Sequence, residues 1–158
     1  MTTGRTRVLG WTLVGVQGLL LLALIALPWR VSPANAMSTA PWLWIGTVIA
    51  IVGLLLAVVA MRQLGAALTA TPVPNDNAPL VVSGVYGRVR HPIYSGILLA
   101  SAGFSIAVGS WWQLGVWVVL LVFFWFKARW EDRLLAERHP DHWGAYAART
   151  GTLIPWSG

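Results

Sequence analysis

The sequence has no cysteine. That excludes disulfides, thiolate nucleophiles and cysteine-based metal centres. Charge is also scarce: only 10% of the 158 residues are charged and 57% are hydrophobic, whereas a soluble domain carries roughly 25% charge. This balance excludes an ordinary soluble domain and marks a single integral-membrane domain. The formal net charge of +6 invites a nucleic-acid reading. The cations, however, sit between apolar runs, where Lys and Arg set membrane topology, so no nucleic-acid partner is expected. Several motifs are missing as well. There is no Gly-rich dinucleotide or phosphate loop, no zinc-protease helix and no nucleophile elbow. His91, His139 and His142 have no ligand-like spacing to carboxylates, so no metal site is expected.

The apolar runs set the expected architecture. Residues 8–27 would cover about 30 Å as a helix, one hydrocarbon core, and Pro28 ends the run. Arg5, Arg7 and Ala34-Asn35-Ala36 also resemble a secretory signal with its cleavage site, but the run is long for a signal. Residues 43–61 form a second span. Both spans are apolar all round, as lipid-facing helices are. Residues 71–79 are rich in Pro and Asn and cannot be continuous helix. Leu80-Val81-Val82 and Val85-Tyr86 would be left wet in a loose linker, so an ordered segment along the membrane face is expected. Residues 93–108 and 111–126, split by Gly109-Ser110, predict a tight helical hairpin with Trp111 and Trp112 near the far interface. Each run makes only about 24 Å of helix, short for a full span. The last helix is expected to leave the membrane as an amphipathic extension. Pro140 breaks it, a short helix with Trp143 and Tyr146 follows, and apolar Leu153-Ile154-Pro155-Trp156 docks. With four spans, ten of the eleven Lys and Arg, all but Arg30, share one side with all five acids. The positive-inside rule makes that side cytoplasmic. The fold class is thus an all-α integral membrane protein of about four transmembrane helices, the last two a hairpin, with a cytosolic C-terminal amphipathic helix.

Two clusters fall on that side. Tyr86, Arg88, Arg90, His91 and Tyr94 form the first. Taken alone, the arginines read as topology anchors and the tyrosines as an interfacial belt, but polar groups this dense beside a membrane segment call for a function. Pro92 keeps His91 out of helical conformation and can start a helix, whose free amides favour an anion. Arg129, Glu131 and Asp132 form the second cluster. By themselves the acids could simply balance Lys127, Arg129 or Arg133 at helical spacing. Together the clusters offer anion donors, aromatic faces and cation acceptors, which suits a ligand with a carboxylate, an ammonium, a sulfonium and an adenine. S-adenosylmethionine is such a ligand.

Leu80-Val81-Val82-Ser83-Gly84-Val85-Tyr86, Arg90-His91-Pro92-Ile93-Tyr94-Ser95-Gly96, and Glu131-Asp132 followed by Tyr146, Arg149 and Pro155 resemble the isoprenylcysteine carboxyl methyltransferase family, itself related to the phospholipid N-methyltransferases. The resemblance spans roughly residues 62–155. It implies that residues 62–158 enclose S-adenosylmethionine near the cytosol, that residues 1–61 supply two N-terminal spans, and that a lipophilic or lipid-anchored acceptor enters from the bilayer. Gly84, Tyr86, Arg90, His91, Pro92, Tyr94, Glu131 and Asp132 would bind the cofactor, with Glu131 holding its ammonium. Arg129, Arg149 and Glu131 would act at the reacting end. The chain departs from the family twice: Asp132 stands where a second Glu is usual, and Thr152 where many relatives keep a base. Methyl transfer from a sulfonium is an in-line displacement that gains most from alignment. A carboxylate acceptor needs only a cation such as Arg149. An amine or phenol needs a base, for which Glu131, Asp132 and His91 are the candidates. Two other classes stand beside this reading: an NADPH-binding membrane reductase of similar architecture and a non-catalytic membrane adaptor.

Overall fold

The computed structural model describes residues 4–27, 40–68 and 79–155. The loop carrying Arg30, the Ala34-Asn35-Ala36 site, residues 71–78 and Trp156 lie outside them. The described chain is helical: α1 (Gly4–Ala26), α2 (Ala40–Leu64), α3 (Pro92–Val108), α4 (Trp111–Arg138) and α5 (Pro140–Ala148). Its one β contact is a parallel bridge between Val89 and Gly151. Proline and glycine set the boundaries. Pro92 and Pro140 open α3 and α5, where a missing N–H costs no helical bond. Gly109, in the left-handed region, closes α3.

Helices α1, α2 and α4 are long and apolar enough to cross a membrane, and α3 is a shorter apolar helix. The expected four spans therefore resolve into three full-length helices and one of 17 residues, about 25 Å long. The second arm of the hairpin is longer than its apolar run. Helix α4 continues unbroken for 28 residues, through Lys127 to Arg138. Its apolar part and its charged extension form one rod, because no Pro or Gly interrupts it between Gly115 and Pro140.

The tightest packing joins α2 to α3. Gly46, Ala50, Gly53, Ala57 and Ala60 recur on α2 at alternating steps of four and three, and Gly96, Ala100, Gly103 and Ala107 do so on α3. A Cβ added at Gly53 would lie 2.7 Å from Gly96 O, and one added at Gly96 would lie 2.6 Å from Ala57 N. The two backbones thus touch directly and run antiparallel. In lipid, where apolar burial gives little drive, such contact is what holds helices together. So α2, although apolar all round, has one face committed to α3. Helix α4 packs on α3, and α1 packs on α4, around Leu24, Leu98, Leu120 and Phe124. Gln113 Nε2 donates to Leu27 O at 3.1 Å and Lys127 Nζ to Gln17 Oε1, so α1 and α4 are antiparallel. The start of α1, the end of α2, the start of α3 and the end of α4 therefore share one end of the bundle. Trp111 and Trp112 are exposed at the other.

Candidate active site

Residues 79–91 are ordered against the end of α2. A 3-10 turn, Gly84–Gly87, begins with Gly84 at φ +62, a conformation that side chains disfavour. A Cβ there would also meet the Gln63 side chain, whose Oε1 accepts from Val85 N at 2.9 Å. Tyr86 is buried and its hydroxyl donates to Ala60 O at 3.3 Å. Tyr146 Oη in turn donates to Tyr86 O at 2.8 Å. Burial first, then the charge of Glu131, raises the Tyr86 hydroxyl above its ordinary pKa. Burial raises Tyr146 to about 12, against the nearby Arg90 cation. Both phenols therefore stay protonated and donate. The C-terminal tail lies along this segment: Arg90 N donates to Gly151 O at 2.8 Å and His91 N to Thr152 O at 3.1 Å. Ser95 Oγ donates to Leu153 O at 2.6 Å. The tail docks as its composition suggests, although mainly through backbone bonds; Leu153 joins the core but Ile154 is exposed.

The two sequence clusters meet at this end. His91 caps α3 and is buried. Its Nε2 lies 2.7 Å from Asp132 Oδ1 and its Nδ1 lies 3.5 Å from Glu131 Oε2. Tyr94 Oη donates to Glu131 Oε2 at 2.8 Å. The His91 and Tyr94 rings stack with centroids 5.4 Å apart and planes at 2°. Burial opposes a charge on His91. The hydrogen bond to Asp132 and then that to Glu131, together with both carboxylate charges, outweigh it and raise the pKa to about 9. His91 is thus an imidazolium at neutral pH. Asp132 Oδ2 also accepts from Arg90 Nε at 3.3 Å. The rest of the Arg90 guanidinium is taken by the tail: Nη1 donates to Ala147 O at 3.0 Å and to Thr150 O, and Nη2 donates to Thr152 Oγ1 at 2.7 Å. Thr152 supplies a hydroxyl acceptor for Arg90, and a basic side chain at that position would face a guanidinium.

Beside the cluster lies an open cleft of about 270 Å³, lined by Arg90, Arg129, Asp132, Arg133, Trp143 and two alanines. Arg129 is exposed, with its guanidinium 5.3 Å from the Trp125 ring. Arg149 is exposed at the end of α5, and no ion pair among the described residues joins it to the carboxylates. Pro92 and Gly84 act through backbone shape. The structure thus gathers Arg90, His91, Tyr94, Glu131 and Asp132, sets Arg129 at the cleft, and holds Gly84 and Tyr86 in the 3-10 turn against the end of α2. Sequence reasoning missed Trp143 and Arg133 as cleft walls and Lys127 as an inward-facing group. Their only signal was spacing on α4 and across Pro140. Among the described residues no group of three or more His, Asp or Glu is arranged for a metal ion.

This donor set suits a ligand of mixed charge. Glu131, 21% exposed, can meet a cation, Arg129 and Arg133 an anion, and Trp143 a flat base. No curated protein gives a match to the chain. A family model described as phospholipid methyltransferase matches residues 41–142. The match takes in α2, whose small-residue face carries α3 and whose end carries the Tyr86 turn. It names the relatives of the isoprenylcysteine enzymes rather than those enzymes themselves. Apolar spanning helices, a charged cluster at one end of them and a match over most of its length show that the chain belongs to the phospholipid methyltransferase family of integral-membrane methyltransferases.

Proposed function

We propose that this protein transfers a methyl group from S-adenosylmethionine to a lipophilic or lipid-anchored acceptor that reaches the site from the bilayer. One observation carries the reading: the Glu131–Tyr94–His91–Asp132 cluster borders, through Asp132, an arginine-lined cleft at one end of the membrane helices. When bound, S-adenosylmethionine supplies an activated methyl on a sulfonium. Glu131 Oε2 attracts positive charge. Arg129 and Arg133 hold a carboxylate, and Trp143 offers a face for stacking.

His91 is protonated at neutral pH, so it cannot serve as the base there. Its role is to fix both carboxylates. If the acceptor is an amine, as the family match supports, Glu131 is the base candidate that remains, since Asp132 is paired with Arg90 and His91 already carries its proton. If the acceptor is a carboxylate, as the motif resemblance to isoprenylcysteine enzymes supports, no base is needed and Arg129 or Arg149 orients it. The aqueous end that carries this site is the cytoplasmic one, since the cations gather there.

The test is transfer of a labelled methyl group from S-adenosylmethionine to either of two acceptors: vesicles containing an aminophospholipid, or a prenylated cysteine mimic. Label should enter one lipophilic product and fall at least about a hundredfold in Glu131→Gln. A base-labile product marks an ester and a stable one an amine. Protein that binds the cofactor yet labels neither acceptor would defeat the proposal.

A further inference from the structure

Lys127 on α4 takes no part in the chemistry above, yet its charge is buried. It is 4% exposed and sits at the end of the apolar run of α4. A lysine at that depth normally extends its amine to the interface. Here the amine turns inward. Nζ donates to Gln17 Oε1 on α1 and lies 4.9 Å from the centre of the Tyr94 ring, with Phe124 and Phe123 at 5.8 and 5.9 Å. Burying an ammonium is costly unless partners compensate. Gln17 is such a partner. It is one turn from Leu20 and Leu21 on the face of α1 that packs on the core, a position where an apolar residue would otherwise serve.

Tyr94 is the link to the site. Lys127 and the His91 ring both lie against it, and its hydroxyl donates to Glu131, one helical turn beyond Lys127. We propose that Lys127 is a positioning residue: held by Gln17, its ammonium clamps the face of Tyr94 and keeps the phenol hydroxyl on Glu131. Helix α1, outside the matched residues 41–142, thereby becomes part of the catalytic unit. The functional consequence rests on the cofactor reading above.

Lys127→Met removes the charge at similar volume. Binding of S-adenosylhomocysteine to purified Lys127→Met should weaken about tenfold, within the range of a cation–π contact. Lys127→Arg, which keeps a cation over the ring, should bind within about threefold of wild type. In a Tyr94→Phe background, Lys127→Met should add no further loss, because the hydroxyl that carries its effect is gone. Unchanged affinity in Lys127→Met, or losses that add, would overturn the proposal. Unliganded protein gives an independent arm, in which Lys127→Met and Tyr94→Leu should lower thermal stability non-additively and additive losses would overturn the clamp. If wild type binds no S-adenosylhomocysteine but this coupling is present, the clamp stands and the cofactor reading fails.

Discussion

Asp132 shows how a single methylene shapes the site. Its two oxygens reach His91 Nε2 at 2.7 Å and Arg90 Nε at 3.3 Å, so the shorter acid bridges a buried imidazolium and a guanidinium that also holds the C-terminal tail. Asp132→Asn should therefore cost about 3 kcal/mol in denaturant unfolding, since it removes the counter-charge of Arg90 and one of the two carboxylates around the buried His91. Asp132→Glu should be milder but still destabilising, because the longer arm overfills a bridge already at hydrogen-bond length. His91 adds a pH dependence. Its folded pKa, about 9, exceeds the ordinary 6.5. The stabilisation it provides is fully present below about 6.5 and is lost as pH rises through about 9. Thermal stability should thus fall between pH 7 and pH 9.5, and His91→Gln should flatten that fall; an unchanged slope would refute the assignment. Residue types at this site were legible in the sequence, through the Arg-His-Pro motif and the Glu131-Asp132 pair. The pairing was not. Which acid meets His91 and which meets Tyr94 depends on the rotation of α4 against α3, and that is set by packing far from the charges.

At the scale of elements, apolar runs located the helices and Pro92, Gly109 and Pro140 their ends, because length and backbone geometry act locally. What hydropathy concealed was the α2–α3 seam. Glycine and alanine count as unremarkable apolar residues on such a reading, although their four-and-three spacing was present on both helices. The seam matters to the site because α3 carries His91 and Tyr94, while α2 carries Gln63 and Ala60, which hold the Tyr86 turn. Gly53→Leu should drive the helices apart and cost about 3 kcal/mol or more, an overpacking penalty against backbone. Gly15→Leu on α1 is the control: nothing lies within 4 Å of a Cβ there, so stability should change by less than about 0.5 kcal/mol. Equal effects of the two substitutions, measured by unfolding in detergent, would contradict the seam.

For the whole molecule, alternating helices place the α3–α4 turn and the His91–Glu131–Asp132 cluster at opposite ends of the bundle. The absence of native cysteine makes this directly testable with a membrane-impermeant thiol reagent. Ser83→Cys should label only from the cytoplasmic side and Trp112→Cys only from the other; labelling of both from one side would invalidate the arrangement. The central question is whether the cluster at the cation-rich end binds the methyl donor's product. The most direct measurement is thermal unfolding of detergent-purified protein with and without S-adenosylhomocysteine, in wild type and in Glu131→Gln. Ligand at a hundred times its dissociation constant adds about 2.7 kcal/mol of stability. The account predicts a clear upward shift of wild type that Glu131→Gln loses. No shift at millimolar ligand, or an equal shift in both proteins, would contradict it.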